Sequence, residues 1–178
     1  AQGNYGKVTN VKILDSGQIT ITTDLGVLTI SDGPMLEEAR AAGLILAVAT
    51  TTTPDNVTAL LRHSLAEDGA DWFAVIAAGD IVPAKKPAPD IYVWALEELG
   101  LRPDECLAFE DSKNGIRASL GAGLRTVVTV NDYTREDDFS GALAILTDLG
   151  EPDAPYLRLD RAESGVVDLT RLRDWIGE

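Results

Sequence analysis

From residue 34 to residue 130 the chain repeats one pattern, a short apolar run followed by a segment with helical spacing. That alternation constrains the fold more than any other feature, because strands linked by helices build a parallel sheet whose two faces are both covered. LILAVAT is a continuous apolar run of strand length, as a strand buried on both faces requires, and PDNVTALLRHSLAEDG then sets Leu60, Leu61 and Leu65 at helical spacing. The unit recurs as WFAVIAAG then PDIYVWALEELG, and as CLAFE then SKNGIRASLGAG, before RTVVTV runs into a loop. Ahead of the first strand, PMLEEARAAG predicts a helix opened by Pro34 and stopped by Gly43.

The N-terminal part has another texture. Residues 7–31 mix β-branched residues with period-two stretches and carry turn signals at Asp15, Ser16, Gly17 and at Asp24, Leu25, Gly26, which predicts a small β-meander. Residues 1–33 are therefore expected as a β-hairpin or meander segment and residues 34–178 as the α/β core. Beyond Asn131 the chain is loop-rich, with Gly150, Pro152 and Pro155 as breakers, until DLTRLRDWIG predicts a terminal helix with Asp168 as its N-cap.

Composition narrows the function. A formal charge of −14 excludes a phosphate-backbone binder, which needs clustered Lys and Arg, so no nucleic acid partner is expected. No apolar run approaches the roughly 18 residues of a membrane span, and no basic-then-apolar leader opens the sequence, so no membrane partner is expected either. The single cysteine, Cys106, sits in an apolar run and predicts a buried, reduced thiol, hence a cytoplasmic setting. The chain begins at Ala1 without an initiator Met, and a processed, excised or recombined polypeptide is one expectation.

In an open parallel sheet the ligand crevice lies beyond the carboxyl ends of the strands, so polar residues that end apolar runs are the site candidates. The first run ends in Thr50, Thr51, Thr52 and Thr53, the second is followed by Lys85 and Lys86, and the third ends in Glu110 and Asp111. A hydroxyl, a cation and adjacent carboxylates suit a phosphorylated ligand with a hard divalent ion. Each has a plainer explanation: a threonine capping the next helix, a solvated lysine, or acids favoured at a helix N-terminus. His63 and Trp72, Trp94 and Trp175 read as ordinary helix and packing residues, and the run Arg135, Glu136, Asp137, Asp138 as a solvated loop.

Taken in order, KKPAPDIYVWALEELGL and CLAFEDSKNGIRASLGAGLRTVVTV resemble the haloacid dehalogenase-like superfamily, in its β-phosphoglucomutase and CbbY-like sugar-phosphatase branch. LAVATTTTPDNVTALL, VPAKKPAPDIY and NDYTREDDFSGA favour the CbbY-like side. The resemblance implies a Rossmann-type three-layer core with helices on both faces. It also implies a Mg²⁺-dependent phosphatase acting on a small sugar phosphate. By the same resemblance Thr50 and Thr51 hold phosphoryl oxygens, Lys86 neutralises phosphate and nucleophile charge, and Glu110 and Asp111 position Mg²⁺. Such enzymes attack phosphorus with an aspartate to form an aspartyl-phosphate.

The family's first motif, D-x-D-G-[TV], is absent from the sequence. TTDLGVLT reads as that motif with one Asp deleted and puts Asp24 at the nucleophile position; ISDGP instead puts Asp32 at the acid-base position and Ile30 at the nucleophile's. Turn chemistry alone also explains Asp before Gly. The helical cap that this branch inserts after the first motif is missing as well. Two further readings follow: a non-catalytic or engineered fragment that keeps the phosphate and metal framework, or an interaction module contacting a partner through the β-rich segment. A strand from residues 18–31 filling the slot of the lost nucleophile strand is the expected structural remedy.

Overall fold

The protein is described by a computed structural model covering residues 11–14, 18–21 and 33–176. Strands β1 (Val11–Leu14) and β2 (Gln18–Ile21) are followed by helix α1 (Gly33–Ala41). The repeating units then unfold in chain order: β3 (Leu46–Thr50) and α2 (Pro54–Ser64), β4 (Phe73–Ala78) and α3 (Asp90–Leu99), β5 (Cys106–Glu110) and α4 (Lys113–Gly121). Strands β6 (Arg125–Thr129) and β7 (Ala144–Leu146), a short hairpin of β8 (Tyr156–Leu157) and β9 (Ser164–Gly165), and α5 (Leu169–Ile176) complete the chain.

Seven strands form one sheet in the order β4-β3-β2-β1-β5-β6-β7. Its alternation of buried side chains sorts the helices into two layers, as a pleated strand must. Leu46 and Val48 of β3 and Leu107 and Phe109 of β5 join the core formed with α1, α2 and α5. Ala49, Cys106 and Ala108 face the core formed with α3 and α4. The continuous apolar runs are continuous for this reason: every residue of β3 and of β5 is buried. The fold is the expected α/β sheet with helices on both faces.

One strand departs from the expected parallel pattern. β2 pairs parallel with β3, Ile21 beside Val48, whereas β1 pairs antiparallel with β2 on one side and with β5 on the other. The direction follows from chain length, since the short link from Leu14 to Gln18 permits a hairpin and no crossover. Residues 22–32, with the remainder of the expected meander and with Asp24, Ile30 and Asp32, lie outside the described residues.

The ends behave as local chemistry dictates. Gly43 takes φ 83° just past α1, and Asp168 accepts a hydrogen bond from the Arg171 amide at 2.7 Å at the start of α5. Cys106 is buried, its thiol donating to the Arg102 carbonyl at 3.1 Å. Trp72 and Trp175 are core residues, and His63 is exposed on α2. Among the described residues no helix is long and apolar enough to cross a membrane.

Candidate active site

Three loops at the carboxyl edge of the sheet carry the candidate residues, and each is shaped by its own sequence. At the end of β3 the Thr50 hydroxyl is buried and accepts a hydrogen bond from the Thr52 amide at 3.1 Å, turning the chain before Pro54 opens α2. Gly79, at φ 67°, donates its amide to the Thr50 carbonyl at 3.2 Å and so ties the ends of β3 and β4 together. Only glycine takes that left-handed conformation without strain.

Lys86 lies on the loop between β4 and α3, joined to Pro87 by a cis peptide bond. Its side chain is 1% exposed, and its Nζ stands 2.9 Å from Oε1 of Glu110, the equally buried last residue of β5. Removing an ammonium and a carboxylate from water costs several kcal/mol per ion, roughly, so direct contact is what makes the burial of either tolerable. Tyr92, in the first turns of α3 and fully buried, donates its hydroxyl to the same Oε1. Its ring centroid lies 5.2 Å from the Lys86 Nζ, within the range of a cation–π contact.

Beyond Glu110 the chain passes Asp111, also buried, to Ser112, whose hydroxyl caps α4 by accepting from the Gly115 amide at 3.1 Å. The Glu110 carboxylate then rests against Gly115: a Cβ at that position would come within 1.8 Å of Oε2. Gly115→Ala is therefore expected to displace Glu110 and to destabilise the chain by about 1–3 kcal/mol, the usual cost of overpacking. A chemical denaturation midpoint unchanged from the parent would show that the carboxylate can move freely.

The structure thus brings Lys86 and Glu110 into contact, with Asp111 next in the chain. Thr50 and the half-buried Thr51 stand at the end of β3, separated from β5 in the sheet by β2 and β1. Sequence reasoning did not single out Tyr92 or Gly115. The glycine had a signal, a fixed place one helical turn after EDS; the tyrosine looked like any apolar-face residue of a helix. The acidic run after β6 has a structural task, since the Asp137 carboxylate accepts from the Lys113 amide at 3.3 Å and fastens that loop to the start of α4.

Among the described residues no three His, Cys, Asp or Glu side chains cluster as a closed metal site. Glu110 and Asp111 are two adjacent oxygen donors, and a Mg²⁺ that keeps several waters and a substrate phosphate needs only one or two carboxylates. Of the two, Asp111 suits a direct ligand, whereas the Glu110 oxygens already stand against Lys86, Tyr92 and Gly115.

A family profile described as haloacid dehalogenase-like hydrolase matches residues 11–123, and the chain belongs to that family. In sequence it is 49% identical over 132 residues to protein CbbY of Rhodobacter capsulatus, covering 74% of this chain and 55% of that protein. In structure it is similar to CbbY from Rhodobacter sphaeroides solved in complex with phosphate, with a TM-score of 0.62 and 44% identity over 74% of this chain and 55% of that one. A variant of the same protein in complex with xylulose-(1,5)bisphosphate gives a TM-score of 0.62 at 42% identity, covering 76% and 59%. The chain spans about half the length of the curated relatives it matches.

Proposed function

We propose that the chain is the core of a Mg²⁺-dependent phosphatase for small phosphorylated sugars. The observation that carries this reading is the buried Lys86–Glu110 pair at the carboxyl edge of the sheet, a cation held next to a carboxylate. The complexes of CbbY from Rhodobacter sphaeroides with phosphate and with xylulose-(1,5)bisphosphate support the substrate class. In this reading Lys86 neutralises the phosphoryl group and Thr50 and Thr51 donate hydrogen bonds to its oxygens. Glu110 and Asp111 position Mg²⁺, with Asp111 as the direct ligand, and the ion when bound would supply charge neutralisation at the phosphate. Asp24 follows β2 in the chain, and β2 runs in the same direction as β3, so Asp24 is the nucleophile candidate. A cytoplasmic setting suits the single buried thiol of Cys106.

A second reading has its own support. β1 lies directly beside β5 and runs antiparallel to it, at the middle of the sheet where the family places its nucleophile strand. A strand in that direction cannot deliver an aspartate to the carboxyl edge, which favours a framework without turnover.

The deciding experiment is Mg²⁺-dependent phosphate release from a panel of sugar phosphates and an aryl phosphate, for the parent and for Asp24→Asn and Lys86→Ala. Activity lost in both variants is the expected result; a folded parent with no activity selects the second reading. In parallel, Asp111→Asn is expected to weaken calorimetric Mg²⁺ affinity by at least about tenfold, the lower end of what losing even an outer-shell partner of a metal costs. Unchanged affinity would remove Asp111 from the metal site.

A further inference from the structure

Among the described residues, three hold or close on the Glu110 carboxylate. Lys86 reaches Oε1 from the loop before α3, the Tyr92 hydroxyl reaches the same oxygen from within α3, and Gly115 of α4 closes against Oε2. Lys86 and Gly115 have evident reasons to be there, as counter-charge and as the only side chain small enough. A phenylalanine would fill the Tyr92 site equally well, because the ring is fully buried among Ile91, Ala95 and Leu96. The hydroxyl is thus an added polar group in an apolar layer, and it is placed on the one oxygen that also binds the lysine.

We propose that Tyr92 is a positioning residue for the phosphate-binding lysine, an inference that rests on the phosphatase reading above. A carboxylate oxygen has two acceptor directions in its plane. With the tyrosine hydroxyl in one of them, Lys86 is confined to the other, and the ammonium is fixed relative to the ends of β3 and β5. Without the hydroxyl, the carboxylate can rotate and the ammonium can follow it or exchange to the other oxygen. A displacement of about 1 Å in a positioning group costs up to about 100-fold in rate, whereas substrate affinity, shared with other contacts, changes less. The hydroxyl therefore sets turnover more than binding.

The test is Tyr92→Phe, which keeps the ring and removes only the hydroxyl. Phosphate release from the best substrate of the panel is expected to show kcat lowered about tenfold or more, with KM within about twofold. The second readout needs no turnover: acetylation of Lys86 by acetic anhydride at a single pH, quantified by mass spectrometry against exposed Lys85 as internal reference. Lys86 keeps its own bond to Glu110 in this variant, and a lysine that can exchange between the two oxygens is expected to shift its ratio to Lys85 by roughly threefold or more, the scale of changing one hydrogen bond in the cluster. A kcat equal to the parent's, a loss confined to KM, or an unchanged Lys86 to Lys85 ratio would each overturn the proposal. A parent chain that folds but releases no phosphate would instead remove the phosphatase reading, and the acetylation ratio then decides on Tyr92 alone.

Discussion

Replacing Lys86 with methionine is expected to destabilise the folded chain by about 3–5 kcal/mol, the cost of leaving a buried carboxylate without its counter-ion. Lys86 and Glu110 are each about as buried as a core leucine, with side chains 1% exposed, so no water can take the place of the ammonium. Among the described contacts the Tyr92 hydroxyl is a neutral donor, which cannot by itself offset a desolvated negative charge. The loss is expected to appear as a lower urea midpoint at neutral pH with an unchanged slope. It should be largely reversed in the Lys86→Met, Glu110→Gln double variant, where the charge itself is gone and an amide can still accept from Tyr92. A double variant no more stable than the single one would mean that packing around the lysine stem, rather than charge, sets the effect. Both variants are expected to lose phosphate release, so stability and activity separate in the double variant.

The second large effect is expected at Arg158, far from the site. Its buried side chain belongs to the connection between β8 and β9, where Nε and Nη2 bind Asp160 at 2.9 and 3.0 Å, Nη1 binds Glu163 at 3.1 Å, and Nη2 also donates to the Leu143 carbonyl at 2.6 Å. Arg158→Met should cost about 1–3 kcal/mol, because the Leu143 carbonyl loses its charged donor, while Asp160 stays solvated and Glu163 keeps Arg161, Arg171 and Tyr156. The cluster also predicts a pH dependence. The Arg158 hydrogen bonds hold the Asp160 carboxyl below its ordinary value; burial pushes Glu163 upward, but the hydrogen bonds from Arg161 and Tyr156 prevail and leave it lowered too. Carboxyls depressed by folding contribute stability that is present above their unfolded values near about pH 4 and is lost as pH falls through the folded ones. The melting temperature of the parent should therefore drop through the acid range below pH ~4, and Arg158→Met should flatten that drop. Parallel curves for the two proteins would show that the acid limb arises elsewhere.

How much of this was legible in the sequence depends on the range over which each feature is determined. The runs LAVAT and CLAFE announced doubly covered strands because burial on both faces leaves no polar position, and that signal is local. Pro34, Gly43 and Asp168 marked helix ends for equally local reasons. The order of Thr50, Lys86, Glu110 and Asp111 along the chain located the carboxyl edge, since strand ends in a parallel sheet share one side. Contact was not legible: that Lys86 meets Glu110 while Thr50 lies across β2 and β1 is a property of strand order, which no single segment encodes. The reversed direction of β1 was hidden likewise, because period-two alternation is the same read either way along a strand. The Arg158 cluster went unnoticed because arginine, aspartate and glutamate in a loop-rich stretch look like solvated charges until a hairpin folds over them.

The place of β1 and β2 has a consequence for the order of events in folding. The strand pairs β3–β4 and β5–β6 each join neighbours in sequence through one crossover helix, so each half of the sheet can nucleate on its own. Within the sheet the halves meet through the β1–β2 hairpin, with Ile13 paired to Leu107 and Ile21 paired to Val48. The seam of the sheet is thus made by non-local contacts, whose loop-closure entropy must be met before any burial rewards it. The hairpin therefore finds both of its neighbours only after β3 and β5 are each in place.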